Sequence, residues 1–141
     1  MDFNSVEKIY LKLLQTQNLL NNNLSILAKE YGFNNTELMI YLDIKTHPKT
    51  DLNALCNRLG LKKSAASKAL DKLIKENHIT RTTNPSDQRK IALTHIEFEN
   101  KDLCKETVLS NTFNGAAISE CDLGKINSAL DDTIKILTNE I

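Results

Sequence analysis

The stretch DLNALCNRLGLKKSAASKALDKLIKENHITRTTNPSDQRKIALT, Asp51 to Thr94, decides the fold. Thr50-Asp51 supplies a helix N-terminus, and Leu52, Leu55 and Leu59 follow at helical spacing up to Gly60, where a left-handed C-cap is wanted. Two or three residues later Lys63-Ser64 opens a second helix, about 63–76, with Ala66, Leu70, Leu73 and Ile74 as its apolar stripe. Two helices joined by so short a glycine-containing turn form a helix-turn-helix unit. After Asn77-His78 the period changes. Ile79–Thr83 is rich in β-branched residues, Asn84-Pro85-Ser86-Asp87 is a turn cluster, and Arg89–Thr94 alternates as a returning strand. The prediction is a β-hairpin wing directly after a recognition helix.

Upstream, Val6, Ile9, Tyr10, Leu13, Leu14, Leu20, Leu24, Leu27, Ala28 and Tyr31 recur at three-and-four spacing and predict a long amphipathic helix that ends at Gly32. Asn34 to Glu37 reads as an N-cap with an acid three residues on, opening a helix with Leu38, Tyr41 and Leu42 on one side; His47-Pro48 closes it. Downstream, Phe98, Leu103, Val108, Leu109 and Phe113 suggest a less regular helix broken at Asn114-Gly115. Ser119-Glu120-Cys121-Asp122 then starts a last helix whose Leu123, Ile126, Leu130, Ile134, Leu137 and Ile141 form a narrow seam, suited to a partner helix within the subunit or across a dimer. The expected fold is mainly α with a small β-hairpin wing. Its winged helix-turn-helix core, 34–95, is flanked by dimerisation helices at 1–32 and 96–141.

Composition narrows the function classes. The net charge of the 141 residues is zero, yet residues 62–90 hold eight Lys and Arg against three acids, whereas 91–141 hold four against nine. A basic segment embedded between neutral and acidic ones is expected when one face touches phosphate. No run is apolar enough to span a membrane and no signal-peptide pattern opens the chain, so the expected location is the cytoplasm. Cys56, Cys104 and Cys121 are widely spaced, which points to buried thiols rather than zinc or disulfides. His47 and His78 read as solvent-exposed loop residues. No nucleophile elbow, phosphate loop or dinucleotide fingerprint occurs, so an enzyme is not expected and no cofactor is implied.

On the recognition helix, small residues in the first turn let the backbone approach base edges, and Ser64, Ala65, Ser67 and Lys68 are the candidate major-groove residues. At about 100° per residue, Ser64, Lys68, Asp71 and Lys75 point away from the apolar stripe, with Lys72 nearby. Lys62, Lys63, Lys72 and Lys75 are assigned to phosphates, because a flexible point charge positions more than it specifies. The wing offers Arg81 at its base and Asp87, Arg89 and Lys90 near its tip, where an Arg suits the minor groove and an acid two residues before it can hold the guanidinium. Double-stranded DNA is the partner these features select; a winged-helix module docking an acidic protein is the alternative.

These residues together resemble the MarR family of bacterial regulators. The resemblance runs in order through Thr36-Glu37-Leu38, Asp51 to Leu55, Leu59-Gly60-Leu61, Ser64 to Ser67, Leu70 to Leu73, Ile79-Thr80-Arg81 and Asp87-Gln88-Arg89. It implies a homodimer interlaced through the first and last helices, repression at a pseudo-palindromic operator, an Arg89 that enters the minor groove with Asp87 as buttress, and a small aromatic or anionic effector in a cleft beside the dimer helices. Asn77 stands where the family usually has Gly, and Asn is the next best residue for a left-handed turn. Peroxide-sensing members carry a reactive Cys in the first helix, and residues 1–35 contain none.

Overall fold

The computed structural model describes residues 1–84, 87–96 and 118–139, with the side chains of 84 and 87–90 excepted. From residue 97 on, the helix predicted from about Ile96 lies outside these residues, as do the Asn114-Gly115 break, Cys104, Pro85-Ser86 and Ile141, and Ile96 itself is not helical. The chain divides into two compact units, Met1–Leu103 and Cys104–Ile141.

In the first unit, α1 (Phe3–Tyr31) begins at Asp2, whose carboxylate accepts from the Asn4 amide and the Ser5 hydroxyl. It ends at Gly32, left-handed at φ 77°, as the sequence predicts. α2 (Asn35–Thr46) opens with the predicted capping box. The Glu37 amide donates to Asn34 Oδ1 and the Asn34 amide to Glu37 Oε1, both at 2.8 Å. α3 (Leu52–Leu59) is capped by Asp51, whose Oδ1 accepts from the Ala54 amide, and closes at the left-handed Gly60. α4 (Lys63–Lys75) follows after three residues, Gly60 to Lys62, and Lys62 at its N-cap supplies no side-chain hydrogen bond. At its far end Asn77 takes φ 63°, the left-handed conformation anticipated for it.

The chain then reverses into β1 (Ile79–Asn84), antiparallel to β2 (Asp87–His95), with Ile79 opposite His95 and Thr83 opposite Ile91. The turn between α2 and α3 joins this ribbon. The Lys49 amide donates to the Leu93 carbonyl and the Leu93 amide to the Thr50 carbonyl, an isolated bridge beside β2.

α2 is the centre of the unit, touched by α1, α3, α4 and β2. It therefore buries Leu38, Ile40, Tyr41 and Ile44, more than the single apolar side its sequence suggests. Leu55, Ala66, Leu70, Leu73, Ile79 and Leu93 complete the core. Tyr31, Phe33 and Tyr41 cluster with ring centroids 5.5–6.1 Å apart, joining the end of α1 to α2. His78 and His95, at the base of the ribbon, pack edge-on against Phe33 and Tyr41. His78 is half-buried there, so the expectation of an exposed loop histidine fails: the α4–β1 reversal turns its ring onto the core.

Before its last turn, α1 is largely uncovered. Phe3 is 72% exposed, and Ile9, Tyr10, Leu14 and Leu20 all exceed half. In the second unit, α5 (Glu120–Thr138) starts at a Ser119/Asp122 capping box and buries none of its residues; Leu123, Ile126, Leu130, Ile134 and Leu137 remain as an exposed apolar seam. Cys121 is exposed in its first turn and Cys56 is half-buried, so neither is the fully buried thiol expected. No described helix is long and apolar enough to cross a membrane.

Candidate nucleic-acid interface

α4 sorts its side chains by helical geometry. Ala66, Ala69, Leu70 and Leu73 face the core, while Ser64, Ala65, Lys68, Asp71, Lys72 and Lys75 are exposed and Ser67 is half-buried. Thirteen residues at about 1.5 Å each make this a rod of roughly 20 Å, long enough to lie in a major groove. Small residues fill its first turn, and Lys62 and Lys63 stand at its N-terminus. With no side-chain cap, the first amides of α4 keep their donors for an incoming acceptor, and the positive end of the helix dipole points the same way.

The candidate lysines, Lys68 for the major groove and Lys62, Lys63, Lys72 and Lys75 for phosphates, divide into two kinds. Lys62, Lys63, Lys68 and Lys75 are exposed and form no ion pair among the described residues. Lys72 crosses to α2, its Nζ 3.3 Å from Oε2 of Glu37, a carboxylate whose side chain is only 1% exposed.

At the wing base, Arg81 on β1 donates from Nη2 to Oδ1 of Asp71 on α4 at 3.0 Å. Both partners are exposed, so the pair adds little stability, but it links strand to recognition helix. The backbone of Asp87, Arg89 and Lys90 lies in β2; their side chains, including the expected Asp87–Arg89 contact, fall outside the described residues. Between α3, α4 and the ribbon lies an open groove of about 540 Å³, whose lining includes Asn53, Lys63, Ser67, Asp71, Arg81 and Ile91.

Sequence reasoning missed the contacts that fasten these elements. Arg58 on α3 grips Asp43 on α2 through two hydrogen bonds, Nε to Oδ1 at 3.0 Å and Nη2 to Oδ2 at 2.7 Å, and Nη2 also donates to Thr50 Oγ1 at 2.6 Å. The hydrogen bond to Asp43 raises the Arg58 pKa further, so the guanidinium is charged at every working pH. Spacing along the chain could not disclose a pair separated by fifteen residues and a turn. The capping box did mark Glu37 but carried no sign of its burial.

Comparison with known proteins agrees with this geometry. The model of the MarR family matches residues 33–91. No curated protein matches the chain in sequence. Among solved structures, a MarR transcriptional regulator from Methanosarcina mazei Go1 superposes with a TM-score of 0.68 at 14% identity, covering 96% of this chain and 99% of the other. The Staphylococcus aureus MarR in complex with salicylate and kanamycin gives 0.64 at 23% identity, covering 99% and 96%. The transcriptional regulator BldR from Sulfolobus solfataricus gives 0.65 at 18% identity, covering 95% and 97%.

Proposed function

We propose that the protein, whose residues 33–91 match the model of the MarR family, is a winged helix-turn-helix transcriptional regulator of that family, a cytoplasmic homodimeric repressor of a pseudo-palindromic operator. Ser64, Ala65, Ser67 and Lys68 read base edges in the major groove. Lys62, Lys63 and Lys75 neutralise phosphates, and Arg89 enters the minor groove with Asp87 beside it and Lys90 near the backbone. The observation that carries this reading is the exposed face of α4, where small residues, lysines with no ion pair among the described residues and a helix N-terminus without a side-chain cap coincide.

Dimerisation is supported by the bare apolar stripes of α1 and α5, which water covers at a cost of about 25 cal/mol per Å². Two protomers then present their α4 helices about 34 Å apart, one DNA turn. Release by a small aromatic or anionic effector is supported by the Staphylococcus aureus relative, which was solved with salicylate.

The test is fluorescence anisotropy on duplex DNA over a salt series. Six lysine–phosphate contacts in a dimer predict a log–log slope of about −5. Arg89→Ala should weaken operator binding about tenfold, in keeping with a base-groove contact of 1–3 kcal/mol. Salt-independent binding, or equal affinity for polyglutamate, would select the acidic-protein alternative instead.

A further inference from the structure

Lys72 and Lys75 are chemically alike and three residues apart on the same exposed side of α4, but their surroundings differ. Lys72 faces Glu37, a residue with no solvent exposure at the N-terminus of α2. Oε1 of that carboxylate already accepts the Asn34 amide at 2.8 Å. Oε2 makes no hydrogen bond among the described residues and has the Lys72 ammonium as its ion-pair partner at 3.3 Å, the same ammonium lying 3.4 Å from Oε1. The start of α2 favours a negative charge, yet a buried carboxylate still requires a counter-charge. A phosphate could engage Lys72 fully only by drawing it off Glu37, and stripping one partner from a buried charge costs far more than an exposed contact returns.

Resting on the DNA-binding reading above, we infer that Lys72 is a positioning residue. It neutralises Glu37 and pins the middle of the recognition helix to the N-terminus of α2, while the phosphate contacts belong to Lys62, Lys63 and Lys75. Glu37 is thereby a determinant of DNA affinity that never meets DNA.

Three variants of the full-length protein decide this: Lys72→Met, Lys75→Met and the double variant Glu37→Gln/Lys72→Met. The carboxamide at 37 keeps an oxygen for the Asn34 amide and no longer calls for a cation. Lys72→Met should lower operator affinity roughly three- to tenfold with an unchanged salt slope, and the double variant should recover to within about twofold of wild type. Lys75→Met should instead flatten the slope by about 0.9 for each phosphate lost. Melting temperatures should follow the tether, falling by about 4 °C in Lys72→Met and returning in the double variant.

If Lys72→Met flattens the slope as Lys75→Met does, and Glu37→Gln restores nothing, the inference is overturned. A wild-type protein that shows no salt-dependent duplex binding refutes the DNA reading separately. The melting temperatures then still judge the tether, with recovery in the double variant supporting it and its absence overturning it.

Discussion

Arg58→Met removes the clamp between α3 and α2 while keeping an apolar stem of similar length. Asp43 has a side chain only 6% exposed and accepts both guanidinium bonds, so the substitution strands a carboxylate in the core. Breaking a fully buried pair costs about 3–5 kcal/mol. Arg58 is itself 32% exposed, and water entering from its side recovers part of that, which brings the expected loss to about 2–3 kcal/mol. His47, whose Nδ1 lies 3.6 Å from Asp43 Oδ1, is too distant and too exposed to take over. At 1.4 kcal/mol per decade, the unfolded population should rise some thirty- to a hundredfold. Urea denaturation followed by circular dichroism at pH 7 and fixed protein concentration measures this as a lower midpoint at constant m-value. Replacing both partners, Arg58→Met with Asp43→Leu, should return most of the loss, because no buried charge is left. A loss under about 0.5 kcal/mol for Arg58→Met, or a double variant no better than the single, would refute the view that the stranded carboxylate is what costs.

At the end of α4, Asn77→Ala should destabilise by about 1 kcal/mol and Asn77→Gly should not, since φ 63° penalises a Cβ lacking a local hydrogen-bonding group; thermal melts of the two separate them. Asp71→Asn should leave stability within about 1 kcal/mol, because the pair with Arg81 is exposed, and anisotropy should nonetheless register weaker operator binding as the wing loses its link to α4. Ile134→Asp, in the seam of α5, should shift sedimentation toward monomer; an unchanged dimer would exclude that face. The Ser5 hydroxyl, then burial against it and the Asn4 and Ser5 amides, leave the Asp2 pKa below its ordinary 3.8, so its cap is complete above that value and is lost as pH falls through the lowered one. Hydrogen exchange of the first turn of α1 should accelerate over that acidic range.

The elements of the first unit were legible because their ends are written in short-range chemistry. Asn34 with Glu37, Asp51, Gly60 and Asn77 act within four residues of where they stand, and each adopts the conformation its neighbours imply. The exposed face of α4 was legible for the same reason, since helical periodicity alone sorts Ser64 and Lys68 from Leu70 and Leu73. What sequence could not give is which charges meet after folding. Lys72 looked like Lys75 until α2 brought Glu37 beneath it, and Arg58 gave no sign of Asp43. α2 misled in another way: a helix surrounded on several sides has no single apolar face to read, so Ile40 and Ile44 escaped notice.

The short bridge between Thr50 and Leu93 has a mechanical consequence. A lone two-stranded ribbon is marginal in water, yet among the described residues β1 and β2 carry no further strand beside them. Backbone bonds from Lys49 and to Thr50 clamp the ribbon at Leu93, near its root, and no other such bridge to the ribbon occurs among the described residues. The ribbon is thus a cantilever. Its root moves with the turn that launches α3, so a load applied to the ribbon is carried into the start of that helix.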